Sequence, residues 1–219
     1  MEGGANPSGR VAQAIQFKVL GHAFPVLRHD AIKPISNAKL ATAMMAQKAA
    51  RPGAAQDERA RELLADVDGL LDEGVEAFRR LDAWLRDDAE QVPLAQALGE
   101  SSRLVFTRLL LSGKRIRLAH QPEPLQVARF PARYVLLAWL LHAVDAMPPG
   151  GELVLASPRA GLIQGTAGPR DGSANGDARS PAADGVLWSE VEDLARFHGW
   201  EVERQDQGWI AQAPGATAA

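Results

Sequence analysis

The sequence predicts an α+β protein in which a helical hairpin precedes a domain of mixed helices and strands. Residues 11–90 carry apolar side chains at helical spacing, whereas residues 102–219 alternate short apolar strands with helices. A chain of 219 residues is long enough for two small domains. Residues 1–10 are rich in glycine and polar residues and are expected to be disordered, and residues 91–101 are expected to be a linker.

The first predicted element is a long helix over residues 11–48. Its apolar side chains recur in steps of three and four, which is the a and d pattern of a helical bundle. These positions are Phe17, Leu20, Phe24, Leu27, Ala31, Ala38, Ala41 and Met45. Pro52 and Gly53 interrupt the pattern, and Asp57 is the predicted N-cap of the next helix.

A second helix with one charged face completes the hairpin. Its apolar positions are Leu64, Val67, Leu71, Phe78, Leu81 and Leu85. Two amphipathic helices share a single seam and bury it poorly alone. Pairing two hairpins into a four-helix bundle solves this problem, so we expect a homodimer.

The second domain is predicted to place helices on one sheet. Pro131 is tolerated because it falls in the first turn of a helix. The predicted helices cover residues 102–111, 131–147 and 186–199, and the predicted strands cover 115–119, 125–130, 152–157, a short segment around 162–163, 200–205 and 208–214. Residues 164–185 are rich in glycine, serine, aspartate and proline, so we expect a loop or disorder there.

Composition excludes several classes of function. The formal net charge is -3, which gives no electrostatic basis for binding nucleic acid. The chain has no cysteine, so disulfides, thiolate metal sites and cysteine nucleophiles are excluded. It has no apolar run long enough to span a membrane and no signal peptide pattern at its start, and we therefore expect a cytoplasmic protein without a membrane role.

The stretch "FPVLRHDAIKPIS" (residues 24–36) carries the candidate chemistry. Counting heptad positions from Phe24 places His29 at position f, far from the seam, where its imidazole would be exposed and able to accept a phosphoryl group. Asp30 could orient the ring or accept its proton. Lys33 lies one helical turn further and could attract phosphate oxygens, and Arg28 adds positive charge. A proline inside a helix costs about 3 kcal/mol, so a proline this close to the histidine needs a functional reason.

The segment "HDAIKPI" resembles the H-box of two-component histidine kinases, with matches at His29, Asp30, Pro34 and Ile35. The segment "LLAWLLHAVDAMPPGGELVL" is similar to the N-box helix and following strand of the kinase ATP-binding domain. Residues 187–214 look like the last helix and hairpin of that domain. This resemblance implies a dimeric hairpin followed by a Bergerat-type α/β sandwich.

The nucleotide-binding motifs of that family are missing. His142 stands where the kinases present an asparagine that holds magnesium, and we expect it to be a buried structural histidine. No Asp-x-Gly-x-Gly loop follows the predicted strand 152–157, and the segment before the last helix has a single glycine, Gly185. We therefore expect a degenerate ATP-binding domain without ATP or any other cofactor of its own.

An intact H-box attached to a degenerate kinase domain resembles ChpT-type histidine phosphotransferases. This resemblance implies a dimer that moves a phosphoryl group between receiver domains of response regulators or hybrid kinases, with magnesium supplied by the receiver. His29, Asp30 and Lys33 are then the candidate catalytic residues, although a lysine in place of Thr or Asn argues against phosphatase activity. Candidate residues for receiver docking are Arg28, Ile32, Pro34, Ile35 and Ser36, with the alternative that those beyond the histidine face their own bundle.

Two other functions remain open from the sequence. The chain could be a sensor-type histidine kinase with a divergent ATP site, or a pseudokinase adaptor that binds a receiver without chemistry. The missing aspartate and glycines weigh against the first, and the intact His-Asp-Pro set weighs against the second.

Overall fold

The computed structural model describes residues 7–49, 56–120, 123–168, 184–206 and 208–216. The chain divides into two compact units. One unit comprises Phe24–Asp87, and the other comprises the chain up to Ala23 together with the chain from Asp88 onwards. One boundary, between Ala23 and Phe24, falls inside the first helix, and the other, between Asp87 and Asp88, falls after the second helix.

The hairpin unit contains most of helix α1 (Pro7–Ala49) and helix α2 (Gln56–Ala83). Most of the buried side chains between the two helices are small, which allows the backbones to approach closely. These buried residues are Leu27, Ala31, Pro34 and Ala38 on α1 and Gly74, Ala77 and Trp84 near or on α2. A Cβ at Gly74 would lie 3.2 Å from Cγ1 of Ile35, so a side chain at this crossing would be in tight contact with α1. The predicted N-cap Asp57 is the second residue of α2, and its side chain lies outside the described part.

Several predicted seam residues of the hairpin are exposed in the single chain. They are Phe17, Phe24, Leu64, Leu71, Phe78 and Leu85. The predicted seam combined two different faces of the hairpin. The helices contact each other mainly through small residues, whereas the larger apolar side chains lie on a neighbouring face. The single hairpin therefore leaves an apolar surface that it does not bury itself.

The second unit combines helices with a five-stranded mixed sheet. Its elements in chain order are β1 (Gln91–Pro93), α3 (Leu94–Leu111), β2 (Arg115–Leu118), β3 (Gln126–Ala128), α4 (Arg129–Ala146), β4 (Glu152–Arg159), β5 (Leu162–Gly168), α5 (Trp188–Phe197), β6 (Glu201–Gln205) and β7 (Gly208–Gln212). The strand order is β2-β4-β5-β7-β6, with β2 and β4 parallel and the other pairs antiparallel, while β1 and β3 form a separate antiparallel pair. The predicted α+β class is confirmed.

Three predicted boundaries are corrected. Residues 91–101 are not a linker, because Val92 and Leu94 are buried and this segment forms β1 and the start of α3. Residues 164–168 belong to β5, where they pair with β4, whereas residues 169–183 lie outside the described residues. Residues 7–10 are the first turn of α1 and not disordered, and residues 1–6 lie outside the described part.

Helix α4 forms the centre of the α/β unit. It is buried from Ala132 to Val144, which explains its continuous apolar sequence. Trp139 packs against the sheet at Gly165, where an added Cβ would lie 3.0 Å from the ring carbon Cη2 of the tryptophan. The buried guanidinium of Arg133 is compensated by Glu100 on α3, with Nε 3.2 Å from Oε2.

The first part of α1 belongs to the α/β unit and not to the predicted hairpin domain of residues 11–90. Its buried face consists of Ala12, Ile15, Val19 and Ala23. Lys18 Nζ lies 2.6 Å from Oε2 of Glu190 on α5, and His22 Nε2 lies 3.0 Å from the carbonyl oxygen of Asp184. Buried residues recur in steps of three and four along α1, because its first part supplies an apolar face to the α/β unit and the rest supplies one to the hairpin unit.

No helix in the described part of the chain has the length and hydropathy needed to cross a membrane.

Candidate functional site

His29 is exposed on α1, with 71% of its side chain accessible. The carboxylate of Asp30 approaches the ring, with Oδ1 3.5 Å from Nδ1. Consecutive helical residues point in different directions, which keeps this contact long. In the tautomer with the proton on Nδ1, the nitrogen nearer Asp30, Nε2 is the nucleophilic atom.

Pro34 lies inside α1, which continues through it to Ala49. A proline lacks the N–H group that would bond to the carbonyl four residues earlier, so it removes the helical partner of the Asp30 carbonyl. The proline thus changes the backbone next to the histidine without ending the helix.

A groove of about 530 Å³ lies beside these residues, between the two helices of the hairpin. It brings together Asp30, Lys33 and Pro34, which the sequence singled out, with residues that it did not. The groove is lined by Asp30, Lys33, Pro34 and Asn37 of α1 and by Gly69, Asp72, Glu73, Glu76 and Arg80 of α2. The α2 residues lie on one face of their helix, but their spacing alone does not show that this face meets Lys33.

The predicted docking residues separate into two groups. Arg28, Ile32 and Ser36 are exposed. Pro34 is buried, and Ile35 packs toward Gly74 of α2 while remaining 41% exposed. Pro34 therefore packs inside the hairpin and does not offer a free side chain to a partner. The alternative that residues beyond the histidine face their own bundle applies in part to Ile35, whereas Ile32 and Ser36 are exposed.

His142 is a buried, hydrogen-bonded histidine of the α/β unit, as predicted. Its Nδ1 lies 3.0 Å from the carbonyl oxygen of Val186, and its ring centroid lies 5.4 Å from that of Trp188. Burial lowers the pKa of His142, against the opposing effect of the Val186 carbonyl, so the neutral ring is favoured. Nε2 is buried without a hydrogen-bond partner.

A polar cluster at the end of α4 was not predicted from the sequence. Arg108 Nε lies 2.9 Å from Oδ1 of Asp145, and Arg108 also reaches Nδ1 of His22 at 3.4 Å. Burial raises the pKa of Asp145, although Arg108 and Lys114 act in the opposite direction. These residues are far apart in the sequence, and only the packing of α1 and α3 on α4 brings them together.

No group of three or more histidine, aspartate or glutamate side chains suited to a metal ion occurs among the described residues.

Comparison with known proteins gives similarities only at the level of solved structures. No protein-family model and no curated protein matches the chain. The mycobacterial sensor histidine kinase MprB is 19% identical with a TM-score of 0.40, covering 56% of this chain and 94% of that chain. The histidine kinase AdeS of Acinetobacter baumannii is 16% identical with a TM-score of 0.40, covering 85% of this chain and 98% of that chain.

Full-length ShkA, solved in complex with AMPPNP, is 21% identical with a TM-score of 0.41. The match covers 90% of this chain and 46% of that chain. At these TM-scores the similarities to histidine kinases carry no argument about function.

Proposed function

We propose that this chain is a histidine phosphotransferase of a two-component phosphorelay. It would carry a phosphoryl group on His29 between the aspartates of receiver domains and would not use ATP. The observation that carries the proposal is an exposed His29 on a helical hairpin, with Asp30 at Nδ1 and Pro34 in the following turn. An exposed imidazole with a neutral nitrogen can accept a phosphoryl group and return it.

The transfer step balances with the groups that the two proteins would supply. Nε2 of His29 attacks the phosphorus of the receiver's aspartyl phosphate, so a P–N bond forms while the P–O bond to the aspartate breaks. The receiver regains its carboxylate, and the proton on Nδ1 can pass to or be held by Asp30. The reverse step returns the phosphoryl group to an aspartate of another receiver.

Lys33 and Arg28 provide the positive charge that a phosphoryl group needs near the histidine. Lys33 lies four residues beyond His29, which places it one turn along the same helix face. An ammonium group there stabilises the charge on the oxygens in transfer. The receiver would bring magnesium, so this chain has only to position the imidazole in line with phosphorus.

Independence from ATP is proposed from the place of His142. The resemblance puts this residue where kinases have the asparagine that holds magnesium. Here the neutral imidazole is buried, bonded to Val186 and next to Trp188. Such a ring is a poor ligand for a hard cation.

A homodimer is proposed from the apolar face that a single hairpin leaves uncovered. Leu64, Leu71 and Phe78 recur every seven residues along α2 and are exposed, and Phe24 and Ile35 are partly exposed on α1. A seven-residue repeat is the pattern by which helices pair in bundles. A second hairpin would cover this face, leaving His29 on another side of α1.

The experiment compares two phosphoryl donors. The purified chain is incubated with radiolabelled ATP and magnesium, and separately with receiver domains already phosphorylated by radiolabelled acetyl phosphate. His29→Ala is the test variant. His120→Ala is the matched control, because His120 is an exposed histidine of the α/β unit.

Label acquired from a receiver, retained in His120→Ala and lost in His29→Ala supports the proposal. Label acquired from ATP would favour a histidine kinase with a divergent site. A receiver that binds the chain without any transfer to His29 would favour an adaptor.

A further inference from the structure

The α/β unit has a second surface, separate from His29, that resembles a peptide-binding groove. A groove of about 660 Å³ runs between α3 and the edge strand β2. Its lining residues are Ala95, Leu98, Gly99, Ser102, Arg103, Phe106, Leu109, Leu110, Lys114, Arg115, Ile116, Leu118 and Leu155. All of them belong to one unit of the chain.

The walls of this groove expose large apolar side chains. Phe106 and Leu110 on α3 are 60% and 68% exposed, and Leu118 on β2 is 45% exposed. Exposed apolar side chains clustered at a concave surface are typical of interaction sites, whereas single exposed leucines need no explanation. The groove floor includes the buried Leu98 and Leu155 and is therefore continuous with the core.

The strand β2 offers a free backbone edge along the groove. It is the terminal strand of the five-stranded sheet, and no other strand in the described ranges pairs with its outer side. The N–H groups of Arg115 and Ala119 donate toward β4, to Gly151 and Leu155. Since backbone groups alternate along a strand, those of Ile116 and Leu118 face the open edge.

The charge of the groove selects the kind of occupant. Its lining contains no carboxylate and three cations: Arg103 and Arg115 are exposed, whereas Nζ of Lys114 lies 2.6 Å from the carbonyl oxygen of Val144. The chain as a whole has a formal net charge of -3, so this local excess of positive charge runs against the overall balance. An apolar groove with a basic rim complements a segment that carries apolar and acidic side chains.

We propose that the groove between α3 and β2 binds an extended acidic segment of a partner protein, which adds as a strand to the free edge of β2. Backbone groups of Ile116 and Leu118 pair with the segment, while its alternate side chains enter the apolar groove. Carboxylates of the segment meet Arg103 and Arg115. Strand addition between an edge strand and a helix is a known mode of peptide recognition. The site does not depend on the proposed phosphotransfer activity.

The test uses the full chain and a defined peptide. The probe is a fluorescein-labelled decapeptide in which leucine or valine alternates with glutamate. One control peptide carries lysine in place of glutamate, and another is N-methylated at every second residue to remove its N–H donors. Binding is measured by fluorescence anisotropy, and the contacted residues are mapped by amide chemical shifts.

Two charge reversals distinguish the groove from the general surface. Arg115→Glu changes the groove rim, and Arg196→Glu changes an exposed arginine of α5. We expect saturable binding of the acidic peptide, weakened about tenfold or more by Arg115→Glu and unchanged by Arg196→Glu. The amide shifts should centre on Ile116 and Leu118, and neither control peptide should compete.

Absence of saturable binding would overturn the proposal, as would equal binding of the lysine peptide. Amide chemical-shift changes centred on residues other than Ile116 and Leu118 would also overturn it. Self-association of the chain that Arg115→Glu abolishes would show that a second copy, with the acidic edge strand β6 as its donor, occupies the groove instead. Circular dichroism of both variants checks that the fold is retained.

Discussion

Truncating Leu71 to alanine should weaken the proposed dimer without unfolding the hairpin. The side chain of Leu71 is 48% exposed in the single chain. Full burial of a leucine contributes about 1.5–3 kcal/mol, so burial of the remaining half contributes roughly 1 kcal/mol per copy. A symmetric dimer contains two copies, which gives a loss of about 2 kcal/mol and about a 30-fold increase in the dissociation constant. Alanine has the highest helix propensity, so α2 itself should not be weakened.

Sedimentation velocity over a series of concentrations measures this dissociation constant directly. Leu111→Ala is the matched control, because Leu111 is 84% exposed on α3 in the other unit. The wild-type chain and the control should dimerise equally, and Leu71→Ala should dissociate at higher concentrations. A monomeric wild-type chain would refute the reasoning, as would a dimer that Leu111→Ala weakens and Leu71→Ala does not.

Three further predictions concern stability. Gly165→Ala should lower the free energy of unfolding by about 1–3 kcal/mol in urea titrations, because the new methyl group meets the buried ring of Trp139; an unchanged midpoint would contradict this packing. The wild-type chain should lose stability as pH falls below about 6.5, because the unfolded chain protonates His142 more readily than the folded chain, whose pKa at this residue is lowered. His142→Gln should reduce the dependence of the free energy of unfolding on pH in this range. An unchanged dependence would show that His142 is not its source. A double-mutant cycle on Lys18 and Glu190 should give a coupling free energy of about 0.5–1 kcal/mol in unfolding, because the ion pair is only partly buried. Zero coupling would mean that the pair does not stabilise the packing of α1 on α5.

Local patterns predicted most elements of the fold. The Pro-Gly break separated the two hairpin helices, and Pro131 marked the start of the buried helix α4. Period-two and apolar runs located the strands around residues 115–118, 152–159 and 201–212. These signals are local, so a single sequence is enough to read them.

Assignments that depend on partners in space were not predictable in the same way. The steps of three and four in α1 continue from Ala12 to Ala38, although the first part packs in the α/β unit and the rest in the hairpin. We expected a linker at residues 91–101 because the sequence pattern changes there, yet Leu94 is buried against neighbouring elements. Periodicity shows that a face is buried but not what covers it.

The candidate site likewise contains residues that local patterns point to and residues that only the packing of two helices reveals. The sequence singled out His29 and its acidic neighbour as candidates. The structure shows the ring exposed, but the heptad count that predicted this exposure started from Phe24 as a seam residue, and Phe24 is itself exposed. The face of α2 that completes the groove beside Lys33 required the register of the two helices. The inward position of Pro34 likewise followed only from that register.

The most direct test of the account is the position of the phosphoryl group after transfer. The chain is mixed with a phosphorylated receiver domain, the reaction is stopped in alkali, and the phosphorylated peptide is sequenced by tandem mass spectrometry. The account predicts a single phosphohistidine at His29, attached through Nε2, with a matching loss of phosphate from the receiver. Phosphate on another residue, or a chain that stays unmodified while the receiver keeps its phosphate, would contradict it.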